Sequence, residues 1–226
     1  MQTVINPAKT ELEKIYRCLL MPSFRSEQME SLPEIIRGVR NGTIHVIAIK
    51  DESQEYAATA VYYWYPKQKT LLLAYLAVSS KMRAKGLGTL VMTQAQEWLE
   101  KELGPSLILC EANDPAFDIV SKEYGNPVRR MNFYKNLGAR IVNVPYFQTA
   151  YDDSDTMVNM WLLVLPGKYM ERYTAYNANS EVHAKTLHDF FLAYMETETE
   201  PNHLPEFRKL FKALKQDWIP TKEIEV

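Results

Sequence analysis

The sequence predicts an α/β (α+β) fold: a mixed, mostly antiparallel central sheet followed by a C-terminal helical extension. Three observations carry this expectation. Residues 43–78 fall into strand-length apolar blocks separated by short turns, which pair as an antiparallel meander. From Leu71 to Leu103 the chain reads strand, basic glycine turn and amphipathic helix, and Ser106–Ala112 follows as another apolar strand. A helical connection makes those two strands parallel, with a right-handed crossover. Beyond Leu165, Pro166-Gly167 breaks the pattern and two amphipathic segments follow.

In chain order, Val4–Asn6 reads as a short first strand ended by Pro7. Leu12, Ile15, Tyr16, Leu19 and Leu20 give Ala8–Met21 a helical face, closed by Pro22. A second helix is expected over Ser31–Arg40, with Pro33 in its first turn and Asn41-Gly42 as its stop. The meander then comprises Thr43–Lys50, the aromatic-rich Tyr56–Tyr65 and Leu71–Val78. After the central helix and Ser106–Ala112, the polar stretch Asn113–Pro127 reads as a functional loop. Val128–Leu137 is expected as a short helix, and Ala139–Phe147 and Thr156–Leu165 as strands. In the extension, Ser180–Met195 reads as a helix capped by Ser180, and Leu204–Trp218 as a second.

Bulk properties narrow the function without naming it. The chain has 226 residues, enough for one substantial core, and a net charge of −2, which gives no electrostatic reason to expect nucleic acid. No stretch is long and apolar enough to span a bilayer, and the N-terminus lacks a secretory pattern, so a cytoplasmic protein without membrane attachment is expected. Cys18 and Cys110 both lie in apolar contexts and are expected as buried free thiols. His45, His183, His188 and His203 have no metal-ligand spacing, so no metal is expected.

The chemistry concentrates after Val78. Ser79-Ser80-Lys81-Met82-Arg83-Ala84-Lys85-Gly86-Leu87-Gly88 joins a strand to a helix N-terminus. The first amides of a helix have no intrahelical acceptor and sit at the positive end of its dipole. Glycines let the backbone curl so that several N–H groups converge on an anion, and Lys81, Arg83 and Lys85 add charge. A dinucleotide fingerprint would need a third glycine where Val91 stands, although Glu111 lies near the distance of its ribose-binding acid.

The better match is Arg83-Ala84-Lys85-Gly86-Leu87-Gly88 after Tyr75-Leu76-Ala77-Val78. It resembles the acyl-CoA loop of the GNAT acetyltransferase superfamily, which reads Q/R-x-x-G-x-G/A after such a strand. A second segment, Phe133-Tyr134-Lys135-Asn136-Leu137-Gly138-Ala139, is similar to the family's helix before its sixth strand. The element order over residues 1–166 also resembles that family, which implies helices on both faces of the sheet. Residues 167–226 are then an extension packed on this domain, with a homodimer contact as the alternative.

The resemblance implies acetyl-CoA, or coenzyme A, as co-substrate. Backbone N–H groups from Ala84 to Thr89, including Lys85, Gly86, Leu87 and Gly88, would hold its pyrophosphate with help from Arg83 and Lys85. The strand edge at Leu76, Ala77 and Val78 would pair with the pantetheine arm, and Tyr134 would protonate the leaving thiolate. A cofactor-binding Asn of many members is replaced by Pro127, and Asn126 beside it is expected to take that contact. The acceptor nitrogen must lose a proton. Glu111, which interrupts an apolar strand at its end, is the candidate base, since desolvation there raises its pKa. Solvation or pairing with Arg129 or Arg130 is the competing role for it. Asp114 and Asp118 are candidates for binding a cationic substrate, and Tyr62, Tyr63, Trp64 and Tyr65 for lining an acceptor pocket. The activity implied is N-acyl transfer to a primary amine, on a small molecule or a peptide. A CoA-binding sensor without chemistry, and a nucleotide-binding protein, are the other readings.

Overall fold

The meander forms around β2 (Ile44–Lys50), β3 (Tyr56–Tyr65) and β4 (Thr70–Val78), each antiparallel to its neighbour. The computed structural model describes residues 1–117, 126–149, 157–165, 174–201 and 203–225. β1 (Gln2–Ile5) pairs with β2 and forms one border of the sheet. β5 (Leu107–Asn113) runs parallel to β4, as the crossover requires, and β8 (Met157–Val164) lies antiparallel beyond it.

The parallel pairing is short. Its register runs only from Thr70↔Leu107 to Leu73↔Cys110. Past that point β4 stays on β3 through Val78, while Glu111, Ala112 and Asn113 of β5 pair with Leu162, Trp161 and Met160 of β8. The two strands therefore part. Residues 74–78 of β4 have no ladder partner on the β5 side.

Helices cover both faces. α1 (Lys9–Ile15) and α2 (Leu32–Asn41) set Leu12, Ile15 and Ile35 over Val46, Ala48, Val61, Tyr75 and Ala77. α1 differs from one long helix: it widens into a π turn at Tyr16–Leu20, closed by Met21 N–H donating to the Tyr16 carbonyl at 2.9 Å. α2 is capped by Ser31, whose hydroxyl accepts from Glu34 N–H at 3.4 Å. α3 (Leu87–Leu103) buries Val91, Met92, Ala95 and Leu99 in a cluster with Ile47, Tyr62 and Leu72. α4 (Pro127–Asn136) buries Met131 and Tyr134 in the same cluster.

Three further expected elements are different in the structure. Ala139–Phe147 is not one strand but β6 (Arg140–Val142) and β7 (Phe147–Thr149). The tight turn made by Val144 N–H on the Val142 carbonyl (2.8 Å), followed by Pro145 with no N–H, interrupts the ladder. Ser180 does not cap a helix: it lies at φ 60° ahead of β9 (Glu181–His183), and α5 covers only Ala184–Tyr194. α6 (Pro205–Ala213) ends well before Trp218, which begins β10 (Trp218–Lys222). β10 pairs with β9 and β6, giving the order β1-β2-β3-β4-β5-β8-β6-β10-β9, with β7 on β8. The apolar residues at Leu214 and Trp218 suit either a helical turn or a return to strand, and pairing with β9 decides it. Phe190, Phe191, Leu210, Phe211 and Ile219 of this region belong to the same core cluster as α3.

Cys110 is buried, but Cys18 is exposed on the outer side of the π turn, next to Leu19 and Leu20, which are buried. Among the described residues no helix is long and apolar enough to cross a membrane.

Candidate active site

The backbone between β4 and α3 departs from ordinary geometry twice. Ala84 and Gly86 lie at φ 63° and 76°, in the left-handed region, and this curls the chain under the start of α3. Gly86 is the N-cap residue, and no side chain caps the helix. Its first-turn amides are thus directed outward without a side-chain acceptor. Gly88 serves differently, since a Cβ there would lie 3.2 Å from the Phe133 ring. Arg83 donates from Nε to the Val78 carbonyl at 3.4 Å, tying the loop to the end of β4.

These residues line a cavity of about 380 Å³. Of the expected cofactor-binding residues, Leu76, Val78, Arg83, Ala84, Gly86, Leu87, Gly88, Thr89 and Asn126 all line it. Ala77 and Lys85 do not: the Ala77 side chain is buried beneath α1 and α2, leaving only its backbone for such a contact, and Lys85 is exposed. Asn126 also caps α4, accepting from Arg129 N–H at 3.1 Å. The wall opposite Gly88 comes from Arg129, Arg130 and Phe133, which the sequence reading did not assign to this cavity. A signal for the arginines was present. They stand in the first turn of a helix, at its positive end, where cations are unfavourable without an anion nearby. Amides, guanidinium groups and a floor kept open by glycine fit a phosphorylated ligand such as acyl-CoA.

A smaller cavity of about 80 Å³ fills the gap where β4 and β5 part, lined by Ala74, Tyr75 and Leu76 on one side and Glu111, Ala112 and Asn113 on the other. Tyr134, Arg130, Phe24, Gln28 and Met160 line the rest of it. Leu76 and Arg130 line both cavities, so the two adjoin.

Successive residues of β5 face opposite ways. Cys110 is buried toward Tyr134, whose phenol burial pushes well above its ordinary value, with Cys110 adding to the rise and Arg130 opposing it. Glu111 turns the other way and is half-buried. Its Oε1 accepts hydrogen bonds from the Tyr146 hydroxyl and from the Tyr194 hydroxyl, the latter at 3.1 Å. Burial raises the Glu111 pKa, and both tyrosines work against that rise. Neither tyrosine was legible as a site residue, because neither stands in a motif. No salt bridge from Glu111 to Arg129 or Arg130 is found among the described residues.

Other expected residues are placed less centrally. Asp114 shapes its own turn, accepting from Ala116 N–H at 2.9 Å, and Asp118 lies outside the described residues. Tyr62 is core, fully buried, with its hydroxyl 3.4 Å from Met92 Sδ. Tyr63, Trp64 and Tyr65 line a wide cleft of about 720 Å³ between α2 and α5. Among the described residues, no group of three or more His, Cys, Asp or Glu could hold a metal ion.

The comparisons with known proteins follow the same lines. The solved structures that this chain resembles include a protein described as a GNAT-family acetyltransferase from Bacteroides thetaiotaomicron, at 22% identity, covering 73% of this chain and 86% of that one with a TM-score of 0.53. An IAA acetyltransferase from Bacillus cereus is 20% identical over 73% of this chain and 99% of its own, with a TM-score of 0.50. A spermidine N-acetyltransferase chimera from Vibrio cholerae and hSSAT is 10% identical over 75% of this chain and 99% of its own, at a TM-score of 0.55. At such identities the likeness is one of fold. No curated protein matches the sequence. The profile of the Acetyltransferase (GNAT) family, however, matches residues 10–125, through the glycine turn, the parting strands and Glu111, and the chain belongs to that family.

Proposed function

We propose that this chain moves an acetyl or other short acyl group from acyl-CoA to a primary amine by direct attack, with Glu111 as base and Tyr134 as acid. The observation that carries the reading is the parting of β4 and β5. It puts Glu111 and Tyr134 on one small cavity, which adjoins the phosphate-binding cavity at Leu76 and Arg130.

Acyl-CoA supplies the activated thioester, and its phosphates would be held by the amides of Gly86–Thr89 with Arg83, Arg129 and Arg130 nearby. The unpaired edge of β4 at residues 74–78 offers backbone N–H and C=O groups to the pantetheine amides. Glu111 takes a proton from the acceptor nitrogen. Its raised pKa makes it a stronger base than an exposed glutamate, matched more closely to neutral conditions. Tyr134 stays protonated because its pKa is raised; the same rise makes it a weaker acid, so its part is to hydrogen-bond the departing sulfur and share its proton as charge builds there. Positioning amine and thioester together supplies much of the remaining rate. The wide cleft favours a cationic acceptor: Glu30, Glu34, Asp189 and Glu196 outnumber Arg37 and Lys67 on its walls. Its Tyr65 feels the charge of Glu111.

The test has two stages. Acetyl-CoA, CoA and NAD are compared for their effect on Tm. At a hundredfold excess over Kd a ligand stabilises by about 2.7 kcal/mol, roughly 5–10 °C for a chain of this size. A shift with both CoA species and none with NAD is expected. Thiol release from acetyl-CoA is then followed with spermidine, an aminoglycoside, free amino acids and a peptide N-terminus. Turnover with an amine, lost by about 10²–10⁴-fold in Glu111→Gln, is the expected result. CoA binding without turnover of any of them would leave a sensor.

A further inference from the structure

The family match ends at residue 125, yet one of the two hydrogen bonds to Glu111 comes from Tyr194, at the end of α5. The other donor, Tyr146, is held by the same helix: its ring stacks on Phe191 at 5.7 Å and 25°. Tyr194 itself stacks on Phe190 at 5.8 Å and 25°. Both phenols converge on Oε1. A carboxylate oxygen has two lone-pair sites, and two O–H donors fill them.

We propose that α5 is part of the catalytic apparatus, its Tyr194 and the Phe191-stacked Tyr146 acting as positioning residues that saturate Oε1 of Glu111 and leave Oε2 to take the acceptor's proton. The step is a plain proton transfer. The N–H bond of the acceptor breaks, an O–H bond forms on Oε2, and the carboxyl later releases that proton to water. An unanchored glutamate could rotate, present either oxygen and share its proton between them. The two tyrosines remove that freedom and stabilise the ionised form. The inference rests on the reading of Glu111 as the base.

Other ionisable groups lie around this carboxylate, and they set the background for any titration. Tyr65 comes from β3, Tyr75 from β4 and Cys110 from β5 itself, and each is held protonated in part by the Glu111 charge. Tyr134 and Arg130 stand across the small cavity, and Glu196 acts on Tyr65 from beyond α5.

Infrared difference spectroscopy across pH reads the protonated carboxyl of Glu111 directly, with Glu111→Gln identifying its band by deleting it. The full-length chain is compared with Tyr194→Phe, Tyr146→Phe and the double variant, each checked for Tm. The titration midpoint should rise by about one pH unit in each single variant and further in the double. A structural role alone would change Tm and leave the midpoint in place. An unmoved midpoint in a folded Tyr194→Phe chain overturns the proposal, and if that variant does not fold, Tyr146→Phe decides by the same criterion. Should the midpoint move while Glu111→Gln still acetylates, the clamp stands and the reading of Glu111 as base falls instead.

Discussion

Glu111 sits between opposing influences, burial on one side and two tyrosine hydrogen bonds on the other, and that balance bears on stability. Its folded pKa is raised by burial, so the unfolded chain holds its proton less tightly. The stability this group contributes is then complete below its ordinary pKa of about 4.5 and is lost as pH rises through the folded value. Glu111→Gln should therefore raise Tm near pH 7, with the gain vanishing below about pH 4.5, as a Tm series across pH would read. A lower Tm at pH 7 would show that the tyrosine bonds outweigh the burial. Gly86 and Gly88 separate two kinds of constraint. Gly86→Ala forces a side chain to φ 76° with nothing in its way, and should cost about 1–2 kcal/mol, a Tm drop of about 2–8 °C. Gly88→Val pushes on Phe133 and narrows the cavity, so the KM for acetyl-CoA should rise about tenfold or more. The Arg83–Gly88 loop was legible because a strand, a glycine turn and a helix start are local events. Arg129, Arg130 and Phe133 reach the same cavity only through the docking of α4, and adjacency in the sequence could not supply that.

At the scale of elements, helices read well where a cap and a breaker framed them. α2 has the Ser31 cap, Pro33 and Gly42 that its sequence announces, and Ser31→Ala should cost about 1 kcal/mol without touching catalysis, a change visible as a Tm drop of about 2–4 °C. The two failures in the extension share one cause. Glu181–His183 and Trp218–Lys222 are strands because they pair with each other, and a pairing between segments so far apart leaves no periodic mark in either. The β6–β7 break likewise belongs to Pro145 and its neighbours rather than to any loss of apolar character. α5 read correctly as amphipathic, but the purpose of its apolar face did not. Phe190 packs edge-on against Tyr65 at 5.0 Å while Phe191 supports Tyr146, so Phe191→Ala should cost about 3–5 kcal/mol and disturb Glu111 as well.

For the whole molecule, residues 167–226 are expected to be inseparable from the rest. β10 lies between β6 and β9, and Phe190, Phe191 and Phe211 share the core cluster of α3. Truncation after Pro166 should strip the β6 edge, open that core and give a chain that precipitates or melts far below the full length; equal Tm and activity would show an independent appendage. A larger consequence follows from the shortness of the β4–β5 ladder. The sheet is continuous by strand order, yet its two halves are joined by four register pairs, Thr70↔Leu107 through Leu73↔Cys110. A ligand laid along residues 74–78 would extend that seam like a missing rung. The apo chain should then breathe along it, and hydrogen–deuterium exchange at Leu73, Tyr75 and Ala112 should slow on CoA binding well beyond what contact alone protects. In that sense a bound CoA would also be a piece of the scaffold, and the chain would reach its full rigidity only while loaded.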